Sequence, residues 1–140
     1  MLSQTAEYAL RAVLYLARES ERRPVPADVI AGALGAPANY LSKTLNVLAR
    51  AGIVAGLRGP TGGFVLLRDP ADLTIAEVVG TFDEPVANRM CLLGGRECDA
   101  LTPCDAHRQW TGVLAAMRAP LTATTVADLV GDVVALQEAV

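Results

Sequence analysis

Three cysteines and the chain's only histidine fall within seventeen residues: Cys91, Cys98, Cys104 and His107. Side chains of these types bind iron, zinc and copper. Three thiolates and one imidazole can fill the outer positions of a small iron–sulphur cluster, or hold one tetrahedral metal ion. Free cysteine also packs as a small hydrophobe. The stretch 90–104, MCLLGGRECDALTPC, argues against that use. Its two glycines, one proline and three charged side chains have the composition of a loop. Gaps of six and five residues between the cysteines let such a loop wrap a cluster. The paired C-x-x-C knuckles usual for zinc are absent. Zinc or thiol oxidation stays as the alternative chemistry.

The elements around this loop decide how its ligands can be held. The run TPCD at 102–105 reads as a helix start, with a Thr cap, a proline in the first turn and an acid after it. Cys104 and His107, three residues apart, then share one helix face. The partial positive charge of the helix N-terminus favours an anionic cluster there. The helix is predicted over 103–119 and broken by Pro120, with a last helix from about 124 towards 137. Ahead of the loop, Thr74 and Glu77 form a capping box that opens a helix to about 82.

The first half of the chain reads differently. Ser3 caps a helix over 3–18, whose Ala6, Ala9, Leu10, Val13, Leu14 and Ala17 form one apolar stripe. A polar break at 19–24 precedes a short helix from Pro26 to Leu34, stopped by Gly35. A third helix spans 37–51 and ends at Gly52. Leu41, Leu45 and Leu48 are its apolar stripe; Asn39, Ser42, Lys43, Asn46 and Arg50 are its outer face. Two β-like runs, 53–57 and 64–67, flank RGPTGG at 58–63, a glycine-rich hairpin tip. Three helices followed by a hairpin is the order of a winged helix-turn-helix. The polar face of the third helix can reach base edges and phosphates in a major groove. An arginine-led tip suits a narrow minor groove.

Bulk properties agree with two jobs in one short chain. The 140 residues are 52% hydrophobic but only 4% aromatic, so Ala, Val and Leu do the packing, which favours helices. Net charge is −3, yet residues 1–70 hold eight basic against five acidic side chains and residues 71–140 hold four against ten. The basic half is the one with the hairpin. No run is long and apolar enough to cross a membrane, and no secretory signal is evident. With an odd number of cysteines, a reducing cytoplasm is the expected location. An electron carrier or enzyme, the remote alternative, finds little support: RGPTGG lacks the Lys-Ser/Thr ending of a phosphate loop, and no second histidine is left for general-base work.

The opening MLSQTAEYALRAVLYLA, the third helix NYLSKTLNVLARAGIV, and the wing RGPTGGFVLLRDP with LTIAEVVGTFDEP after it resemble the Rrf2 family of bacterial transcription regulators. The resemblance covers nearly the whole chain. It implies a mostly α fold with a small β-wing: a winged helix-turn-helix at 1–82, then a cluster loop and dimerisation helices at 83–140. It implies a homodimer, a double-stranded DNA operator, and no membrane. By the family pattern, Asn39, Tyr40 and Lys43 match the start of the recognition helix, and Arg58 and Gly59 match the wing tip. Ser42 stands where an iron–sulphur member has an acid that affects its choice of DNA site, so that operator is not carried over. Cys91, Cys98 and Cys104 match the cluster cysteines, the first gap being one residue wider. His107 matches one known fourth ligand, and Glu7 matches another, a first-helix carboxylate from the second subunit. The cofactor implied is an iron–sulphur cluster, [2Fe–2S] ahead of [4Fe–4S], although the family also contains a cysteine-metabolism repressor without one.

Overall fold

The computed structural model describes residues 2–19, 22–83, 101 and 104–131. Six helices and one hairpin run in the order α1 (Gln4–Arg18), α2 (Ala27–Leu34), α3 (Ala38–Arg50), β1 (Val54–Leu57), β2 (Gly63–Leu66), α4 (Ile75–Gly80), α5 (Asp105–Ala123) and α6 (Val126–Leu129). Ser3 caps α1 as expected, its hydroxyl accepting from the Ala6 N–H. Of the expected α1 stripe, Ala6, Ala9, Val13 and Leu14 are buried, joined by Ala12 and Leu16, while Leu10 and Ala17 are only half-buried against the core. Around it pack Ile30 and Leu34 of α2, Leu41, Leu45 and Leu48 of α3, and Ile75, Val78 and Val79 of α4. One continuous core therefore holds the first four helices, in line with the small aliphatic composition.

The helix-turn-helix depends on how its first member stops. Gly35 has φ 64°, and the N–H groups of Gly35 and Ala36 bond back to Gly32 and Ala31. That pair of bonds closes the last turn of α2 without a side chain and releases the chain into α3 two residues later. The same pattern ends α3, where Ile53 N–H reaches Leu48 at 3.0 Å. Ile53 and Leu48 are both buried, so the chain leaves α3 aimed at the hairpin.

β1 and β2 are antiparallel, with Val54 opposite Leu66 and Leu57 opposite Gly63. A third backbone segment joins them. Val25 pairs with Phe64 through N–H···O bonds of 2.9 and 2.8 Å. Val25, just ahead of the α2 N-cap Pro26, thus lies along β2, a pairing that the sequence does not predict. One Val between two prolines has no strand periodicity to betray it.

Beyond the wing, two predicted boundaries move. The helix expected to break at Pro120 runs through it to Ala123, so the 103–119 span is corrected to Asp105–Ala123. Pro120 lies close to the C-terminus, where its missing N–H forfeits a single bond and its own carbonyl still accepts from Thr124 at 3.0 Å. The helix also starts later than expected, with Cys104 at the N-cap. Thr102 and Pro103, expected as cap and first turn, lie outside the described residues. The segment after α5 then returns to the body. Val126 N–H bonds to Leu73, Ile75 N–H to Thr124, and Ala127 N–H to Pro70. Leu73 and Val126 are fully buried in this clamp. Thr125 and Asp128 form a capping box beside that of Thr74 and Glu77.

Candidate functional site

Along α3 the exposed residues are Ala38, Asn39, Tyr40, Lys43, Asn46 and Arg50, while Leu41, Thr44, Leu45 and Leu48 are buried. Asn39, Lys43, Asn46 and Arg50 follow steps of four, three and four, so they form one polar strip along the outer face. Ser42 is half-buried at its flank. Arg50 points back along the helix, its Nε donating to the Asn46 carbonyl. Lys43 has no ion-pair partner among the described residues. Tyr40 differs from its neighbours: its hydroxyl hydrogen-bonds Thr5 Oγ1 on α1, and its ring meets Tyr8 edge-on.

The hairpin tip places Arg58 and Gly59 in solvent. Gly59 has φ 104° and Gly63 has φ 149°, both in the region that a Cβ penalises. Gly62 closes the tip by donating to the Gly59 carbonyl at 2.9 Å. Arg58 has no acidic partner among the described residues. Between the tip and the approach to α2 lies a groove of about 670 Å³, lined by Arg23, Pro24, Pro26, Leu57, Arg58 and Pro60 among others. Arg23 and Arg58 are the cationic residues of this lining. Lys43, Arg50 and Arg58 are therefore all exposed on the two elements that a winged helix presents to DNA.

Arg68 and Glu77 hold the exit of the wing. Arg68 donates to the Glu77 carboxylate and to the Asp72 carbonyl, each at 2.7 Å. The Arg68 guanidinium, followed by the Thr74 N–H, lowers the Glu77 carboxyl from its ordinary value of 4.5 to about 2. Asp128 is also lowered, by the Thr125 backbone N–H and then the Thr125 hydroxyl. Neither pair was singled out for function from the sequence.

The cysteine segment is only partly in view. Cys91 and Cys98 lie outside the described residues, so the expected gathering of ligands falls beyond them. Cys104 is exposed at the N-cap of α5, and His107 is half-buried one turn along. The Cys104 thiol makes no capping hydrogen bond. One turn past His107, the indole Nε1 of Trp110 is buried without a hydrogen-bond partner among the described residues. Glu7 is exposed in the first turn of α1. Among the described residues, no three His, Cys, Asp or Glu side chains converge as a metal site.

A helix-turn-helix with a two-stranded wing and a long following helix defines a winged-helix transcriptional regulator. The model of the Rrf2 family, described as iron-dependent transcriptional regulators, matches residues 2–132. The chain belongs to that family, which is one of regulators and not of enzymes. It is 31% identical over 131 residues to the HTH-type transcriptional regulator IscR of Vibrio atlanticus, covering 94% of this chain and 75% of the relative. Its fold is similar to that of CymR, the global cysteine regulator of B. subtilis, with a TM-score of 0.79 and 24% identity over 94% of this chain and 96% of that one. The structure of T. potens IscR also matches, with a TM-score of 0.73 and 24% identity over 94% and 87% of the two chains. No helix among the described residues is long and apolar enough to cross a membrane.

Proposed function

We propose that this chain is a cytoplasmic, homodimeric DNA-binding regulator whose operator affinity is set by an iron–sulphur cluster sensing iron supply, nitric oxide or redox state. The supporting observation is the start of α5. It presents Cys104 at the cap, His107 one turn on, and a turn beyond them the buried Trp110 Nε1–H, which has no hydrogen-bond partner among the described residues. An exposed thiol not spent on capping, an imidazole and a buried N–H donor suit a sulphur-rich anionic group, whose sulphurs accept hydrogen bonds. Cys91, Cys98, Cys104 and His107 would hold it, with Glu7 as the rival fourth ligand. A [2Fe–2S] cluster is favoured over [4Fe–4S]. When bound, it supplies iron that reacts with oxidants and nitric oxide.

The protein's own part is mechanical. Asn39, Lys43 and the wing tip at Arg58 and Gly59 engage the DNA, base edges from the helix and backbone or minor groove from the wing. Bound by these ligands, a cluster would tie the 91–104 segment to the start of α5. The far end of α5 is joined to the wing exit by the Leu73–Val126 and Thr124–Ile75 backbone bonds. Any change in the pose of α5 is thereby felt at the base of the wing. A ligand alters DNA affinity only by favouring one such pose.

Anaerobic purification tests this reading. A brown protein with cluster absorption and a matching Mössbauer spectrum is expected. Operator affinity of the holo and apo forms should differ by at least about tenfold, or about 1.4 kcal/mol. A colourless protein whose DNA affinity responds to zinc or to thiol oxidation would replace the cluster by the second reading, which the exposure of Cys104 also suits. Reconstituted separately, His107→Ala should lose the wild-type spectrum and Glu7→Ala should keep it; the reverse would make the carboxylate the ligand.

A further inference from the structure

Tyr40 is anchored in a way that reading a base does not require. It sits in the first turn of α3, between Asn39 and Lys43. Its hydroxyl hydrogen-bonds Thr5 Oγ1 in the first turn of α1. Its ring packs edge-to-face on Tyr8, with centroids 5.9 Å apart and planes at 70°. Only 36% of the residue is exposed. Its carbonyl is held as well, accepting from the Thr44 hydroxyl at 3.0 Å, and Thr44 is itself buried. Edge-to-face aromatic pairs are directional, so the contact constrains angle as well as distance.

No side-chain cap holds the start of α3, where Pro37 stands at the N-cap. The apolar anchors Leu41, Leu45 and Leu48 fix the depth of the helix. A single stripe leaves rolling about the helix axis the softest motion. Side-chain tips several ångströms from the axis are swept sideways by a small roll, and hydrogen bonds to base edges weaken steeply with angle. The base of the strut is fixed in turn, because the Ser3 N–H donates to the Asp83 carboxylate at 2.8 Å. That bond ties the start of α1 to the segment just past α4.

We propose that Thr5 and Tyr8 are positioning residues for DNA recognition, acting through Tyr40 to set the roll of the first turn of α3 and so the presentation of Asn39 and Lys43 to base edges. Tyr40 becomes a strut between two helices instead of a base contact. The inference rests on α3 being the recognition helix. Phosphate attraction depends on charge and is insensitive to a small roll, whereas base readout is not. Loss of the strut should therefore lower specificity and leave general DNA affinity nearly intact.

The experiment compares two duplexes of equal length, one selected by the wild-type protein from a randomised pool and one scrambled. Thr5→Val and Tyr40→Phe should each reduce the affinity ratio between them by about 5–10-fold, the size of one weakened base contact. Affinity for the scrambled duplex should stay within about twofold. The double variant should be no worse than either single, since both remove one bond. Thr5→Ser keeps the hydroxyl and should retain the wild-type ratio. A lowered ratio in Tyr40→Phe alone, with Thr5→Val unchanged, would put the tyrosine hydroxyl on DNA and overturn the strut. Unchanged ratios in both variants, with only the melting temperature reduced, would overturn it too. Lys43→Ala without effect on either duplex would instead remove α3 as the reading helix, a failure distinct from that of the strut.

Discussion

At Gly63 the wing has no tolerance for a side chain. A Cβ there would lie 2.4 Å from the Val25 carbonyl carbon and 2.5 Å from its oxygen, and φ is 149°. Backbone is on the other side of the clash, so nothing can rotate away. Gly63→Ala should destabilise the protein by at least about 2 kcal/mol in urea unfolding and detach Val25 from β2. At the exposed residues the expectation is opposite: stability is untouched and DNA binding suffers. Lys43→Ala and Arg58→Ala should each cost about 1–3 kcal/mol of operator affinity if they contact bases, or flatten the salt dependence if they contact phosphates. Isotherms unchanged across a salt series would remove both from the interface. Glu77 sets a pH dependence whose sign follows from its lowered pKa. Its ion pair contributes stability above the ordinary value of 4.5, and the contribution is lost as pH falls from there towards about 2. Both side chains are over a third exposed, at 37% and 44%, so water screens the pair. It should be worth under about 1 kcal/mol. Arg68→Ala should weaken the protein at pH 7 and flatten its stability profile between those limits.

Among the elements, α5 stands apart. Its nineteen residues bury only Leu114, while Val113 and Met117, one turn apart, are 47% and 46% exposed. A helix of this length is marginal in water without packing on one face. Besides the burial of Leu114, the joint at its far end steadies it, where the twin capping boxes at Thr74 and Thr125 lie side by side. Thr125→Val keeps the shape and removes the capping oxygen. It should cost about 1 kcal/mol, read by chemical unfolding, and increase amide exchange in Val126–Leu129. A protected Val126–Leu129 helix in that variant would mean that burial of Val126, and not the cap, holds the joint.

For the whole molecule, the exposed Val113 and Met117 call for a partner, and a second copy of α5 offers the same strip in return. A dimer mass by light scattering at micromolar concentration is expected, with two protomers bound to one roughly palindromic duplex. A monomer binding one-to-one would exclude this arrangement. Charge acts at the same scale. The chain is acidic overall, yet the exposed bases of α3 and the wing lie in its basic half. DNA binding should consequently fall with rising salt despite the net charge of −3, because the local field of the docking face governs encounter.

The sequence alone determined the features that are local. The α1 stripe, the Ser3 and Thr74 caps, the glycine stops at Gly35 and Gly52, and the hairpin around RGPTGG each depend on residues within a few positions of one another. Their periodicity and turn chemistry could be read directly. The polar strip of α3 was legible for the same reason. The proposed ligand set rests on the cysteine spacing alone, since Cys91 and Cys98 lie outside the described residues. Only the tertiary structure showed Val25 against β2, Tyr40 braced on Thr5 and Tyr8, and the return of Val126 to Leu73. Each joins residues from 32 to 53 positions apart, and no local pattern encodes such a pairing. Pro120 inside α5 has the same explanation. The local rule predicts a break, but close to the C-terminus of a helix already tied down at Thr124 a single missing bond costs too little to enforce it.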